Sequence, residues 1–266
     1  RMPACRFGKH RDNSRNSLSV FPVVTRVEGK EDYMEQKEKI KYQRNCLLGA
    51  LGAALLIVGD LCISIVPASP ADKGLYVRGA YLNGDFQLWR VALLLVTGLV
   101  GMFFYAFGID AISEQILPKY RKTRALVKYA GLMYVASAAT LHFLVGTLAY
   151  WVTYLSEHIG REQAIAYVDD YYNLLFPAVS IVYIPTALLM LTSLISLLAG
   201  RTVMKRSMIV FHIITWQLIF VLIPDIRQAM GADISTLDYV FSQASGNTAC
   251  LIWLVASFVY SKRNSN

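Results

Sequence analysis

The sequence predicts an all-α, polytopic membrane protein: a bundle of six transmembrane helices with both termini in the cytoplasm. Three observations carry that prediction. First, 55% of the 266 residues are hydrophobic and only 17% are charged. Second, the charges do not spread along every helix, as a soluble domain of this length requires. They are swept into short clusters between apolar runs long enough to cross a bilayer. Third, Lys and Arg favour alternate links. Counted from Met34, fourteen fall on the side of the termini and five on the other. The positive-inside rule then places both termini in the cytoplasm. The net charge of +8 is thereby read as topology rather than as a nucleic-acid surface.

Residues 1–33 show no periodicity, and their only apolar cluster, Val20 to Val24, is broken by Pro22. Such a segment buries too little to offset its ordering entropy, so it is expected to be a disordered extension. Met34 opens a short basic lead of the kind that starts a bacterial membrane protein. It is read as the native initiator, with a genuine cytoplasmic tail as the alternative. Residues 34–266 form the transmembrane domain.

The first span is expected over residues 45–66. At about 20 apolar residues it exceeds the h-region of a signal peptide. Gly49, Gly52 and Ala53 give it a small-residue face for close helix packing. The second, residues 86–109, carries Thr97 and Gly101 at i, i+4. The third, residues 126–156, is about 46 Å long at the helical rise and must tilt or protrude from a core of about 30 Å. Its stripe of Gly131, Val135, Ala138, His142, Gly146, Ala149 and Thr153 is small and polar, hence the face turned into the bundle. Tyr150, Trp151, Tyr154 and Trp89 fit an outer aromatic belt. An acidic link leads to the fourth span, residues 173–199, where Pro185 is expected to kink the helix. The fifth, residues 207–223, is expected to stop at Pro224-Asp225, and the sixth covers residues 241–260. Cys5, Cys46, Cys62 and Cys250 have no paired spacing, so neither a disulfide framework nor a zinc site is inferred.

The residues that could carry function are the polar ones inside apolar runs. Asp60 lies about 9 Å inside the outer end of the first span, and Arg90 about 6 Å inside that of the second. The spans are antiparallel, and Arg90 can bend along its helix to the depth of Asp60. The expected site is an outward-facing polar pocket lined by Asp60, Arg90, His142, Asn173 and Asp225, with His142 placed to relay protons. The competing reading makes Asp60 and Arg90 a buried ion pair that only fixes two helices. His212 lies far in depth from Asp60. Asp60, His142 and His212 therefore cannot supply three metal ligands at one depth, and no metal is expected. No catalytic triad, phosphate-cradling loop or nucleotide motif is present, so no cofactor and no catalytic residue is assigned.

Gly59-Asp60 late in the first span, a short outer link and Leu88-Trp89-Arg90 opening a Gly-containing second span resemble an uncharacterised family of small bacterial multi-pass membrane proteins. The resemblance implies a membrane location and about six helices; it brings no activity. The expected function is small-solute binding or transport across the cytoplasmic membrane. The alternatives are an accessory or structural subunit, which would pair with a membrane partner or a second copy, and a membrane-embedded enzyme acting on a lipid.

Overall fold

The computed structural model describes residues 28–69, 72 and 77–263. The chain divides into residues 1–37 and residues 38–266. Of the first unit, residues 1–27 lie outside the described residues, including most of the segment expected to be disordered. Helix α1 is described from Glu28 to Ser64, so it begins inside that segment.

The described chain is all helical apart from its links. After α1 come a one-turn helix α2 (Gly79–Leu82), α3 (Trp89–Glu114), α4 (Arg121–His158), α5 (Arg161–Val179), α6 (Tyr183–Leu198), α7 (Ile213–Ala229) and α8 (Thr236–Arg263). Six helical stretches are long and apolar enough to cross a membrane; α5 and α6 form one of them. The protein is a multi-pass membrane protein.

The two proline-bearing spans differ from expectation. The fourth span does not begin at residue 173. Its helix starts at Arg161 and runs to Val179, gives way to a 3-10 turn over Ser180–Val182, and resumes at Tyr183. Pro185 has no N–H to return to the Ile181 carbonyl, and the ladder changes to 3-10 at that level, whereas α5 runs on through Pro177 with one bond missing. The fifth span does not stop at Pro224-Asp225. After a 3-10 stretch, Arg206–Phe211, helix α7 continues through Pro224 to Ala229. A single proline removes one ladder bond, and in lipid the helix remains the cheapest way to satisfy the surrounding backbone.

Both α6 and α7 end in Schellman motifs. Arg201 N–H donates to Ser196 O (2.8 Å) and Gly200 N–H to Leu197 O (3.1 Å). Ala232 N–H donates to Arg227 O (3.0 Å) and Gly231 N–H to Gln228 O (2.9 Å). Gly200 and Gly231 adopt the positive φ, +66° and +84°, that this motif requires. At the basic end of the bundle, Ile116 and Thr202 form an antiparallel bridge. It ties the α3–α4 link to the α6–α7 link.

Helix α1 runs against α3 through glycine. Gly52 sits so close that a Cβ there would lie 2.5 Å from Tyr105 N and 2.6 Å from Gly101 O. Close backbone approach is how helices gain packing in lipid, where no hydrophobic effect drives them together. The expected stripe on α4 is turned inward: Gly131, Ala138, Gly146, Ala149 and Thr153 are buried. Trp89, Trp151 and Tyr154 are exposed, whereas Trp253 is core. Cys46, Cys62 and Cys250 are free and buried; Cys5 lies outside the described residues.

The apolar interior falls into two clusters. One gathers Leu56, Tyr105, Ile109 and Trp253. The other gathers Ile63, Tyr81, Leu144 and Val152. Asp60 lies between Leu56 and Ile63 in sequence, at the level where the two clusters meet.

Candidate functional site

A cavity of about 560 Å³ opens at that level. Its walls come from six helices: Asp60 of α1, His142 and Leu148 of α4, Phe176 of α5, Tyr183 and Thr186 of α6, Gln217 of α7, and Asn247 of α8 all line it. Most of the lining is aliphatic or aromatic, and its polar side chains come from α1, α4, α6, α7 and α8. A largely apolar pocket with a few placed polar groups is the usual form of a small-molecule site, and the volume falls within the range such sites occupy.

Asp60 is 1% exposed. Its Oδ2 accepts a hydrogen bond from Asn247 Nδ2 at 2.7 Å. Among the described residues it takes part in no ion pair. A carboxylate in an apolar interior is costly unless donors face it, and Asn247 supplies one.

Arg90 does not meet Asp60. Its Nη2 donates to the carbonyl of Ile65 at 2.8 Å, beyond the end of α1. The reason lies in the orphan carbonyls that every helix leaves at its C-terminus. Near lipid each must find a donor. Three neighbouring elements provide them. Tyr81 Oη of α2 donates to Ile63 O (3.0 Å), Arg90 of α3 to Ile65 O, and Thr236 Oγ1 of α8 to Val66 O (3.0 Å). A cation is also favoured at a helix C-terminus by the dipole. Burial pushes the Tyr81 phenol up to about 12, so it remains a donor at neutral pH.

His142 lines the same cavity as Asp60. Gly98 of α3 gives it room, since a Cβ there would come within 3.2 Å of His142 Cβ. Among the described residues no hydrogen bond forms to its ring. Asn173 and Asp225 are exposed, and neither is among the cavity residues. The structure thus brings Asp60 and His142 of the expected set together and leaves Arg90, Asn173 and Asp225 outside.

Several polar residues that sequence reasoning passed over are central. Asn247 is one. Gln217 is another: its Nε2 donates to Ser245 Oγ at 2.9 Å, and Ser245 in turn donates to Ser242 O at 2.9 Å. That chain fixes the amide orientation and leaves Gln217 Oε1 buried with no hydrogen-bond partner among the described residues. Gly246 faces that oxygen; a Cβ there would lie 3.1 Å from it.

His212 is fully buried away from the cavity. It caps α7: Nδ1 accepts from Ile214 N–H at 3.2 Å, which leaves the ring proton on Nε2, 3.2 Å from Ser193 Oγ. Its ring also packs on Trp253, with centroids 5.0 Å apart. It is a joint between α6, α7 and α8.

Beyond the end of α1 lies a second buried charge cluster. Arg78, 1% exposed, pairs with Asp72 at 3.5 Å. Its guanidinium carbon sits 3.1 Å from the centre of the Tyr239 ring. Asp72 accepts from Gly79 N–H (2.7 Å), Ser69 N–H (3.0 Å) and Tyr239 Oη (2.9 Å). With its acceptors satisfied and an aromatic lid over its cation, this cluster holds the link against α8.

These features define a multi-pass helical membrane protein with an acid-bearing cavity inside its bundle. The chain belongs to a family of unknown function (DUF6796), which it matches over residues 34–263, in agreement with the likeness to an uncharacterised family. No curated protein and no solved structure matches the chain.

Proposed function

We propose that the protein binds a small solute in the cavity at Asp60 and carries it across the cytoplasmic membrane. The carrying observation is that Asp60, buried in the cavity wall, has among the described residues a single donor, Asn247, facing its carboxylate. An aspartate at the centre of a span costs about 2.5–3.5 kcal/mol on the insertion scale, less toward the interface. A purely structural group would repay that cost through a fuller set of donors, as Asp72 does. His142, whose ring takes no hydrogen bond among the described residues, is the proposed coupling residue. The excess of Lys and Arg beside the termini supports an orientation with both ends in the cytoplasm, which turns the Asp60 end of α1 outward.

The cavity also includes Phe176 and Tyr183, and Tyr183 is 59% exposed on the outside of the bundle. The wall at the α5–α6 break therefore reaches the lipid-facing surface, which favours entry from within the membrane. That same observation favours a second reading, an enzyme acting on a lipid that reaches Asp60 sideways.

The test is a thermal-shift screen of purified protein against amino acids, amines, sugars and lipid head groups, with Asp60→Asn in parallel. The expected result is a compound that raises the melting temperature of the wild type and not of the variant. If no compound distinguishes the two proteins, the binding proposal fails.

A further inference from the structure

The cavity at Asp60 has a chemical polarity that narrows what fits it, and the inference that follows rests on the solute-binding reading. Two carbonyl-type oxygens reach the cavity without a full set of partners among the described residues. Asp60 commits Oδ2 to Asn247, and among the described residues no hydrogen bond reaches Oδ1. Gln217 Oε1 is an amide acceptor with no partner among the described residues, its orientation fixed through Ser245 and Ser242. Among the described residues no Lys or Arg lines the cavity, and the basic side chain that does, His142, makes no ion pair with Asp60. The rest of the wall is apolar, with aromatic rings from Tyr134, Tyr172, Phe176 and Tyr183.

We infer that the cavity takes a hydrophobic ammonium: an organic monocation with N–H donors at one end and an apolar or aromatic body. The ammonium supplies the counter-charge that Asp60 lacks and donors for Asp60 and Gln217 Oε1. Charged hydrogen bonds of this kind are the strong ones. The tyrosine and phenylalanine rings add a surface on which a desolvated cation is favoured, and the apolar wall takes the body by burial. An anion would meet the Asp60 carboxylate with no cation to answer it. A neutral alcohol can donate one hydrogen bond and brings no charge.

Three probes of nearly one shape separate the cases: phenethylammonium, phenethyl alcohol and phenylacetate. Each is titrated calorimetrically into the full-length protein in detergent micelles, with protein-free micelles as the blank. The expected result is saturable binding of phenethylammonium, at least about tenfold tighter than the alcohol, as a charged hydrogen bond warrants, and no binding of phenylacetate. In Asp60→Asn the preference for the amine over the alcohol disappears. Should that variant fail to fold, Gln217→Met carries the test: it keeps the side-chain length, removes the acceptor, and is expected to weaken the amine about tenfold while leaving the alcohol within about twofold. Equal binding of alcohol and amine to the wild type, or tighter phenylacetate, overturns the cation assignment while leaving a binding cavity in place. Absence of binding by all three removes the solute site along with it.

Discussion

Gly52→Ala probes how close α1 and α3 stand. The added Cβ would lie 2.5 Å from Tyr105 N and 2.6 Å from Gly101 O, whereas ordinary contact begins near 3.4 Å. Both obstacles are backbone, so no rotamer change relieves them. The helices must separate by about 1 Å, and the separation loosens the packing along their shared face. Overpacking of this kind costs about 1–3 kcal/mol, and a rigid obstacle belongs at the upper end. Alanine returns up to about 1 kcal/mol of helix propensity. The net expectation is a loss of about 2 kcal/mol, read as a lowered unfolding midpoint in micelles. Gly108→Ala supplies a graded comparison. Its Cβ meets Leu254 Cδ1 at 3.0 Å and Gly49 Cα at 3.1 Å, a milder and partly flexible obstacle, so its loss should be smaller. Leu51→Ala is the blank, since Leu51 is 46% exposed on the outer face of α1. A Gly52→Ala protein as stable as the wild type, or less affected than Gly108→Ala, would refute the close approach.

Other perturbations have equally definite outcomes. Asn247→Leu should destabilise by about 1.5–3 kcal/mol, the value of a hydrogen bond to a charged group. Joining it to Asp60→Leu should recover most of that loss, and a thermal double-mutant cycle reads the coupling. Arg78→Met should cost toward the lower end of the about 3–5 kcal/mol expected when one member of a buried pair is removed, because Asp72 keeps three other donors. Arg78→Lys should recover little, for an ammonium cannot lie flat on Tyr239 as a guanidinium does; equal melting of the Lys variant and wild type would contradict the stacking. His212→Ala should lower stability by about 1 kcal/mol through loss of the α7 cap, and His212→Asn should restore part of it by offering an acceptor to the same backbone N–H. Gly131→Ala should be harmful because its Cβ runs into Ile109 Cγ2, and Ile109→Ala should rescue it, which unfolding of the double variant will test.

Much of the architecture was legible because a membrane simplifies the code. Runs of apolar residues have to be helices, and the inward face of α4 announced itself as a stripe of small residues. What failed were arguments that used depth without direction. Asp60 and Arg90 were matched in depth along their spans, but depth says nothing of the azimuth at which each side chain leaves its helix. The orphan carbonyls at the end of α1 competed for the guanidinium and won. Pro224 was read as a stop because a proline in water commonly is one, whereas in lipid the remaining ladder outweighs one missing bond. Asn247 left no mark: it sits in a polar opening to α8, among Ser245, Gly246 and Thr248, and its partner lies 187 residues away. Arg78 was counted only as a link charge, and nothing in its spacing from Asp72 signals that Tyr239 of α8 meets both. The cavity was the least legible feature, since its wall is assembled from single residues of six helices.

The tie between Asp60 and Asn247 also sets an order of events during synthesis. Helix α1, which carries the acid, leaves the ribosome before α8, which carries the amide that answers it. Thr236, which closes the Val66 carbonyl beyond α1, is likewise delivered by α8. Until α8 is inserted, α1 lacks both the Asn247 amide for its carboxylate and the Thr236 hydroxyl for the Val66 carbonyl. A chain cut short before α8 therefore carries a built-in sign of incompleteness, exposed to whatever cellular machinery inspects unfinished membrane proteins.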